Sequence, residues 1–161
     1  MTVHVRPMTK ADLPAVAPMA GALVRLHHET DPRRFFLVPN IEEGYAAFFA
    51  RELGNGDAFL FVAEKDGAIA GYTYATLEGR DWNLLLDAHG AIHDVFVDPR
   101  ARGAGVAKAL LNTVIGALED RGAVNIVLST MVSNMAAQRV FAKAGFRPTM
   151  IEMTRSSTRD S

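Results

Sequence analysis

The chain has 161 residues, 49% of them apolar, and a net charge of −1 from 17 basic and 18 acidic residues. That length predicts a single domain over 1–155 and a polar tail over 156–161, and the charge balance excludes a broad nucleic-acid surface. The absence of cysteine excludes disulfides, a thiolate nucleophile and a Cys-ligated metal, and fits a reducing cytoplasm.

In chain order, Val3 to Arg6 reads as a first strand, and Met1 to Lys10 lacks the apolar core of a signal peptide. Thr9 or Asp12 starts a helix to about His28 with Leu13, Val16, Ala20, Leu23 and Val24 as its apolar stripe. Its most apolar part, Ala15 to Val24, contains Pro18 and is too short to span a membrane. Asp31-Pro32 ends that helix, and the following loop carries Phe35-Phe36, which either lid a pocket or tuck into the core. Ile41 to Leu53 is a second helix, ended by Gly54-Asn55-Gly56.

Ala58 to Glu64 and Ala68 to Leu77 are strands joined at Asp66-Gly67, a hairpin signal. Glu78 to Gly90 is a polar excursion carrying Trp82. Ile92 to Val97 is a strand stopped by Asp98-Pro99, and Gly105 to Arg121 a helix with a wide apolar arc. Val124 to Met131 reads as a strand buried on both faces. A helix from Asn134 to Gly145 follows, and Arg147 to Thr154 reads as a final strand.

Two segments carry chemistry. After the strand ending at Val97 comes Arg100-x-x-Gly103-x-Gly105, then helix. Strand, basic Gly loop and helix make an anion site: glycines permit positive φ and close approach, and the amides at the helix start favour negative charge. A P-loop needs Gly-Lys-Ser/Thr, which is absent, and a dinucleotide fingerprint needs a third Gly where Lys108 stands. The second segment is Asn134-x-x-Ala137-x-x-Val140-Phe141-x-Lys143-x-Gly145-Phe146. Ser133 or Asn134 can cap the helix, Ala137, Val140, Phe141 and Ala144 form one buried stripe, and Gly145 terminates it.

The first segment resembles the acetyl-CoA pyrophosphate loop of the GCN5-related N-acetyltransferase (GNAT) family, and the second resembles that family's later motif. The resemblance spans roughly Val3 to Thr154 and is strongest from Ile92 to Phe146. It implies an α/β fold with a mixed, twisted central sheet of about six strands and helices on both faces. It also implies acetyl transfer from acetyl-CoA to a primary amine, by direct attack in a ternary complex.

By the family pattern, Arg100, Arg102, Gly103, Ala104, Gly105, Val106 and Ala107 hold the pyrophosphate, with the amides from Arg102 to Ala107 as donors. The backbone of Val95, Phe96 and Val97 pairs with the pantetheine arm and supplies an oxyanion donor, and Asn134 bonds the arm from the other side. The strands at 92–97 and 125–131 must splay to admit it. Read structurally, Asn134 is only a helix cap.

His93 is the favoured general base, with a satisfied structural histidine as its alternative, and Asp94 is the second catalytic candidate. Strand alternation sends these two side chains to opposite faces. His27, His28 and Glu29 form a helix end or the rim of the acceptor pocket; no metal site is expected. The family often has a Tyr acid where this chain has Phe141, and Tyr72, Tyr74, Thr130 and Ser133 are the substitutes available.

The family ends in a two-strand hairpin, whereas one strand's worth of chain follows Phe146. Either the last strand is absent or a partner subunit supplies it, which favours a homodimer. The expected acceptor is a small-molecule amine, with Glu29, Asp31, Glu78, Asp81 and Asp87 as residues suited to a cation or as ordinary surface charges. A protein lysine or N-terminus is the alternative acceptor. A non-catalytic acyl-CoA-binding module, kept open by Phe141, and a nucleotide-binding protein using the Gly loop are the other classes.

Overall fold

Five strands lie in chain order across one sheet: β1 (Val3–Pro7), β2 (Ala58–Lys65), β3 (Ala68–Glu78), β4 (His89–Val97) and β5 (Ile126–Leu128). The computed structural model describes residues 2–157, so residues 158–161 of the expected polar tail lie outside the described residues. The first four strands pair antiparallel and β4 pairs β5 parallel. Asp66 and Gly67 both have positive φ, 53° and 79°, the twist that a two-residue hairpin between β2 and β3 demands.

Helices α1 (Leu13–Thr30) and α2 (Ile41–Glu52) cover one face of the sheet. Val16, Ala20 and Phe49 pack there on Leu60, Val62, Tyr72, Tyr74 and Phe96. Helix α3 (Val106–Asp120) covers the other face with Val106, Leu110, Leu111, Val114 and Leu118, all buried. Helix α4 (Met135–Lys143) lies on that side too: Val140, Phe141 and Ala144 pack against the cluster around Leu111 and Val114.

Three expectations need correction. The strand read over Val124 to Met131 is only Ile126–Leu128, and it is half-buried rather than buried on both faces. The α4 stripe is half-buried as well. Residues 147–154 form no strand, so the sheet has five described strands rather than about six. Pro148 removes a ladder donor and β5 offers three residues to pair with, too few to hold a new strand. Met150, Ile151 and Met153 are consequently exposed, and Glu152 ties the segment to the α1–α2 loop through both carboxylate oxygens on Arg34, at 2.6 and 2.9 Å. No helix among the described residues is long and apolar enough to cross a membrane.

Candidate active site

The register of β3 on β4 decides where the candidate base lies. Tyr74 pairs with Asp94 and Ala75 with Ile92, so His93 is one residue too many on β4, a bulge. The bulge resets the alternation. Tyr72, Tyr74 and Thr76 stand on one face of β3, and both β4 side chains meet them there. The Tyr72 hydroxyl donates to Asp94 Oδ2 at 2.9 Å, while His93 Nε2 lies 2.8 Å from Thr76 Oγ1 and its ring 5.1 Å from that of Tyr74. His93 and Asp94 therefore share a face, against the opposite faces that simple alternation gives. Burial pushes the Asp94 carboxyl above its ordinary range, opposed by the Tyr72 hydrogen bond and by the histidines His93 and His27.

Both residues line a cavity of about 300 Å³ between β4, α1, α2 and the loop after α1. His27, Phe35 and Tyr45 form much of its wall. His27 Nδ1 lies 2.7 Å from the Leu23 carbonyl, which can only accept, so Nε2 keeps its lone pair. Phe35 stacks edge-on against His27 at 4.9 Å and, like Phe36, lines the cavity; Phe36 remains exposed, so the pair walls a pocket rather than filling the core. His28 Nδ1 holds the Phe35 carbonyl at 2.8 Å and fixes this loop. Burial and the charge of Asp94 raise the Tyr45 hydroxyl's pKa. Tyr45 escapes sequence reasoning because it sits with Phe48 and Phe49 in the apolar periodicity of α2 and reads as core.

A second, larger opening of about 730 Å³ lies under the β3–β4 loop, with Glu78, Asp81, Trp82 and Ser129 on its wall and His93 common to both cavities. Of the acidic residues singled out for a cation, Asp87 pairs with Arg80 at 3.1 Å and Asp81 accepts from the amides of Asn83 and Leu84.

β4 is open along the edge that faces away from β3. Its pairing with β5 covers Gly90, Ala91 and Ile92 and stops, while β4 runs on to Val97, paired only with β3. The ladder between the two parallel strands ends at Ile92 and Leu128, leaving the outward edge of Val95, Phe96 and Val97 without a strand partner among the described residues. Beyond β4, Asp98 accepts from the Arg100 amide and both arms of its guanidinium. That pairing holds the Asp98 carboxyl down to about 2 and offsets the charge of Arg100. Arg102 and Ala104 are exposed. Gly103 and Gly105 have φ of 82° and 79°, and a Cβ at either would meet no protein atom within 4 Å. None of the amides from Gly103 to Lys108 donates to another described residue; the first bond of the α3 ladder is Ala109 N–H to Gly105 C=O at 3.0 Å. The loop is a cradle of unused amides at a helix start, beneath open space, which fits a pyrophosphate.

After β5, Asn134 Oδ1 accepts from the Ala137 amide at 3.1 Å and caps α4. Its Nδ2 donates to no other described residue, so the cap uses one end of the amide and leaves the other free.

A family model described as Acetyltransferase (GNAT) family matches residues 23–146, most of the chain. The chain belongs to the GNAT family. An uncharacterized N-acetyltransferase of Mycobacterium bovis is 31% identical over 102 residues, 63% of this chain and 61% of that protein. The chain thus spans about three fifths of the length of the curated relatives it matches first. A putative N-acetyltransferase of the alanine of ribosomal protein bS18 from Bacillus subtilis is 29% identical, covering 63% of this chain and 62% of its own length. Among solved structures, AAC(6')-Iy bound to a CoA-containing bisubstrate analog superposes with a TM-score of 0.74 at 20% identity, over 98% of this chain and 99% of its own.

As a GNAT member the chain departs from the family at Phe141, which packs edge-on against Phe146 at 6.2 Å within the α3 core cluster. Two of the substitutes for the absent tyrosine already have their protons engaged. Tyr72 donates to Asp94 and Tyr74 donates to Glu52 at 2.6 Å. Burial raises both phenols, further helped by those carboxylates. Thr130 and Ser133 follow β5 and make no side-chain hydrogen bond among the described residues.

Proposed function

We propose that this protein is an acetyl-CoA-dependent N-acetyltransferase acting on a small primary amine, with His93 as general base. One observation carries the reading: the open edge of β4 runs without interruption from the bulge at His93 and Asp94 to the unused amides of the Gly loop. The phosphates of acetyl-CoA sit on the amides from Arg102 to Ala107, with Arg102 adding charge. The pantetheine arm lies along Val95 to Val97 as an added strand, met from the far side by Asn134 Nδ2.

The ammonium group enters the smaller cavity, where Asp94 and the lone pair of His27 accept from it. Arg34 also lines that cavity, but Glu152 engages its guanidinium. An alkylammonium has a pKa of about 10.4, so little free amine exists at neutral pH and a nearby base assists. His93 takes the proton, the amine attacks the thioester carbonyl, and an amide on the β4 edge stabilises the oxyanion, a donor worth about 10²–10³ in rate. As the adduct collapses, its nitrogen gives up a second proton to water, and the departing thiolate takes a proton from the imidazolium or from water, so no tyrosine at position 141 is needed. The absence of cysteine supports a cytoplasmic setting.

Phe141 favours one second reading, a module that binds acyl-CoA without turnover. Incubation with acetyl-CoA and a panel of aminoglycosides, polyamines, arylalkylamines and peptides with free N-termini, followed by mass spectrometry, separates the two. Acetylated small amine is the expected result. Acetylated peptide alone moves the acceptor to a protein, and no product with acetyl-CoA bound supports the module.

A further inference from the structure

We propose that Thr76 and Glu78 are positioning residues for His93, fixing its neutral imidazole in the tautomer that carries hydrogen on Nε2 and a free lone pair on Nδ1. The inference rests on the reading of His93 as base and adds which nitrogen does the work.

It follows from counting protons. The Thr76 hydroxyl has one hydrogen and two neighbours: Glu78 Oε1 at 2.7 Å and His93 Nε2 at 2.8 Å. A carboxylate is an acceptor only, so the hydroxyl hydrogen goes to Glu78. The hydroxyl oxygen then has lone pairs to offer, and the bond to the ring exists only if Nε2–H donates. A neutral imidazole holds one such hydrogen, which leaves Nδ1 as the basic nitrogen. When Nδ1 takes a proton from the ammonium to free the amine for attack, the Nε2–H bond to Thr76 is retained. The proton leaves from Nδ1 to the departing thiolate or to water, and none passes through the threonine.

The fold builds this arrangement. Thr76 and Glu78 are two apart on β3 and face the same way. Alternation from Ile92, which faces α3, turns His93 to the Thr76 face, and the bulge after it keeps Asp94 on that same face. Thr76 is buried, whereas Glu78 is exposed at the strand end and lines the larger cavity. The other titratable groups around His93 are Asp94 on β4 and Tyr74 on β3, His27, Arg34 and Tyr45 around the smaller cavity, and Arg80, Asp81 and His89 around the larger one.

The test is nitrogen NMR of the full-length protein labelled at histidine, with His93→Ala assigning the signals, read at a pH where the ring is neutral. The expected spectrum has hydrogen on Nε2 in the wild type and a mixture of tautomers in Thr76→Val, whose shape is preserved. Thr76→Val should also lower kcat by roughly tenfold, part of the 10²–10⁴ that a positioned base contributes, without changing KM for acetyl-CoA. Thr76→Ser should restore both readouts. Hydrogen on Nδ1 in the wild type, or an unchanged tautomer in Thr76→Val, overturns the relay whatever kcat does. A shifted tautomer with unchanged kcat upholds the relay and removes His93 as base.

Discussion

Gly103 and Gly105 illustrate how a single side chain would act on the site. Each has a left-handed backbone that disfavours any Cβ, and each borders the open space over the unused amides. Gly103→Val or Gly105→Val should abolish acetyl-CoA binding measured by calorimetry; undiminished binding would remove the loop as the phosphate site. Replacement of His93 by Ala should lower turnover about 10²-fold or more while acetyl-CoA still binds. Equal losses of turnover and binding would instead make His93 a structural residue. On the far edge of the sheet, Asp12 accepts from Arg6 Nη1 and Nη2, each at 2.8 Å, and its carboxyl is held at about 2, chiefly by that pairing. Because the folded pKa is depressed, the stability it contributes is present above the ordinary carboxylate range and lost as pH falls toward 2. Asp12→Asn should lower Tm at pH 7 and flatten its decline between about pH 4 and 2; parallel melting profiles would contradict this. The residue types of the site were legible in the sequence. Their shared face was not, because a bulge depends on the register with β3, and the partners Tyr72 and Thr76 lie far back along the chain.

At the scale of elements, the proposed function depends on how β4 meets its two neighbours. On the β3 side the contact is tight: a Cβ at Gly71 would collide with the Phe96 carbonyl oxygen and crowd Leu110 and Val106. Gly71→Ala should therefore destabilise the fold by about 2 kcal/mol or more in urea unfolding, and a neutral result would show that β3 can shift away. On the β5 side the pairing ends at Ile92 and Leu128, and the open edge beyond it is where we propose that the pantetheine lies. Local chemistry made the hairpin at Asp66-Gly67, α3 and the Gly loop readable, since each is specified by residues within one or two turns. The short β5 and the unpaired 147–154 segment were not readable. Both have strand-like composition, but whether they pair is set by partners distant in sequence.

The whole molecule ends its sheet at β5, whose outer edge has no strand partner among the described residues, and its C-terminal segment exposes Met150, Ile151 and Met153. We propose a homodimer that covers this exposed apolar segment. Sedimentation equilibrium of the full chain should give twice the monomer mass, with Ile151→Lys shifting it toward monomer; a wild-type monomer across the concentration range would contradict the proposal. The activity itself is tested most directly by amine-dependent release of free thiol from acetyl-CoA, read with a thiol-reactive dye that finds no cysteine on the protein. The account predicts release that requires a small primary amine and falls steeply in His93→Ala. Acetyl-CoA bound by the wild type with no release on any amine would contradict it.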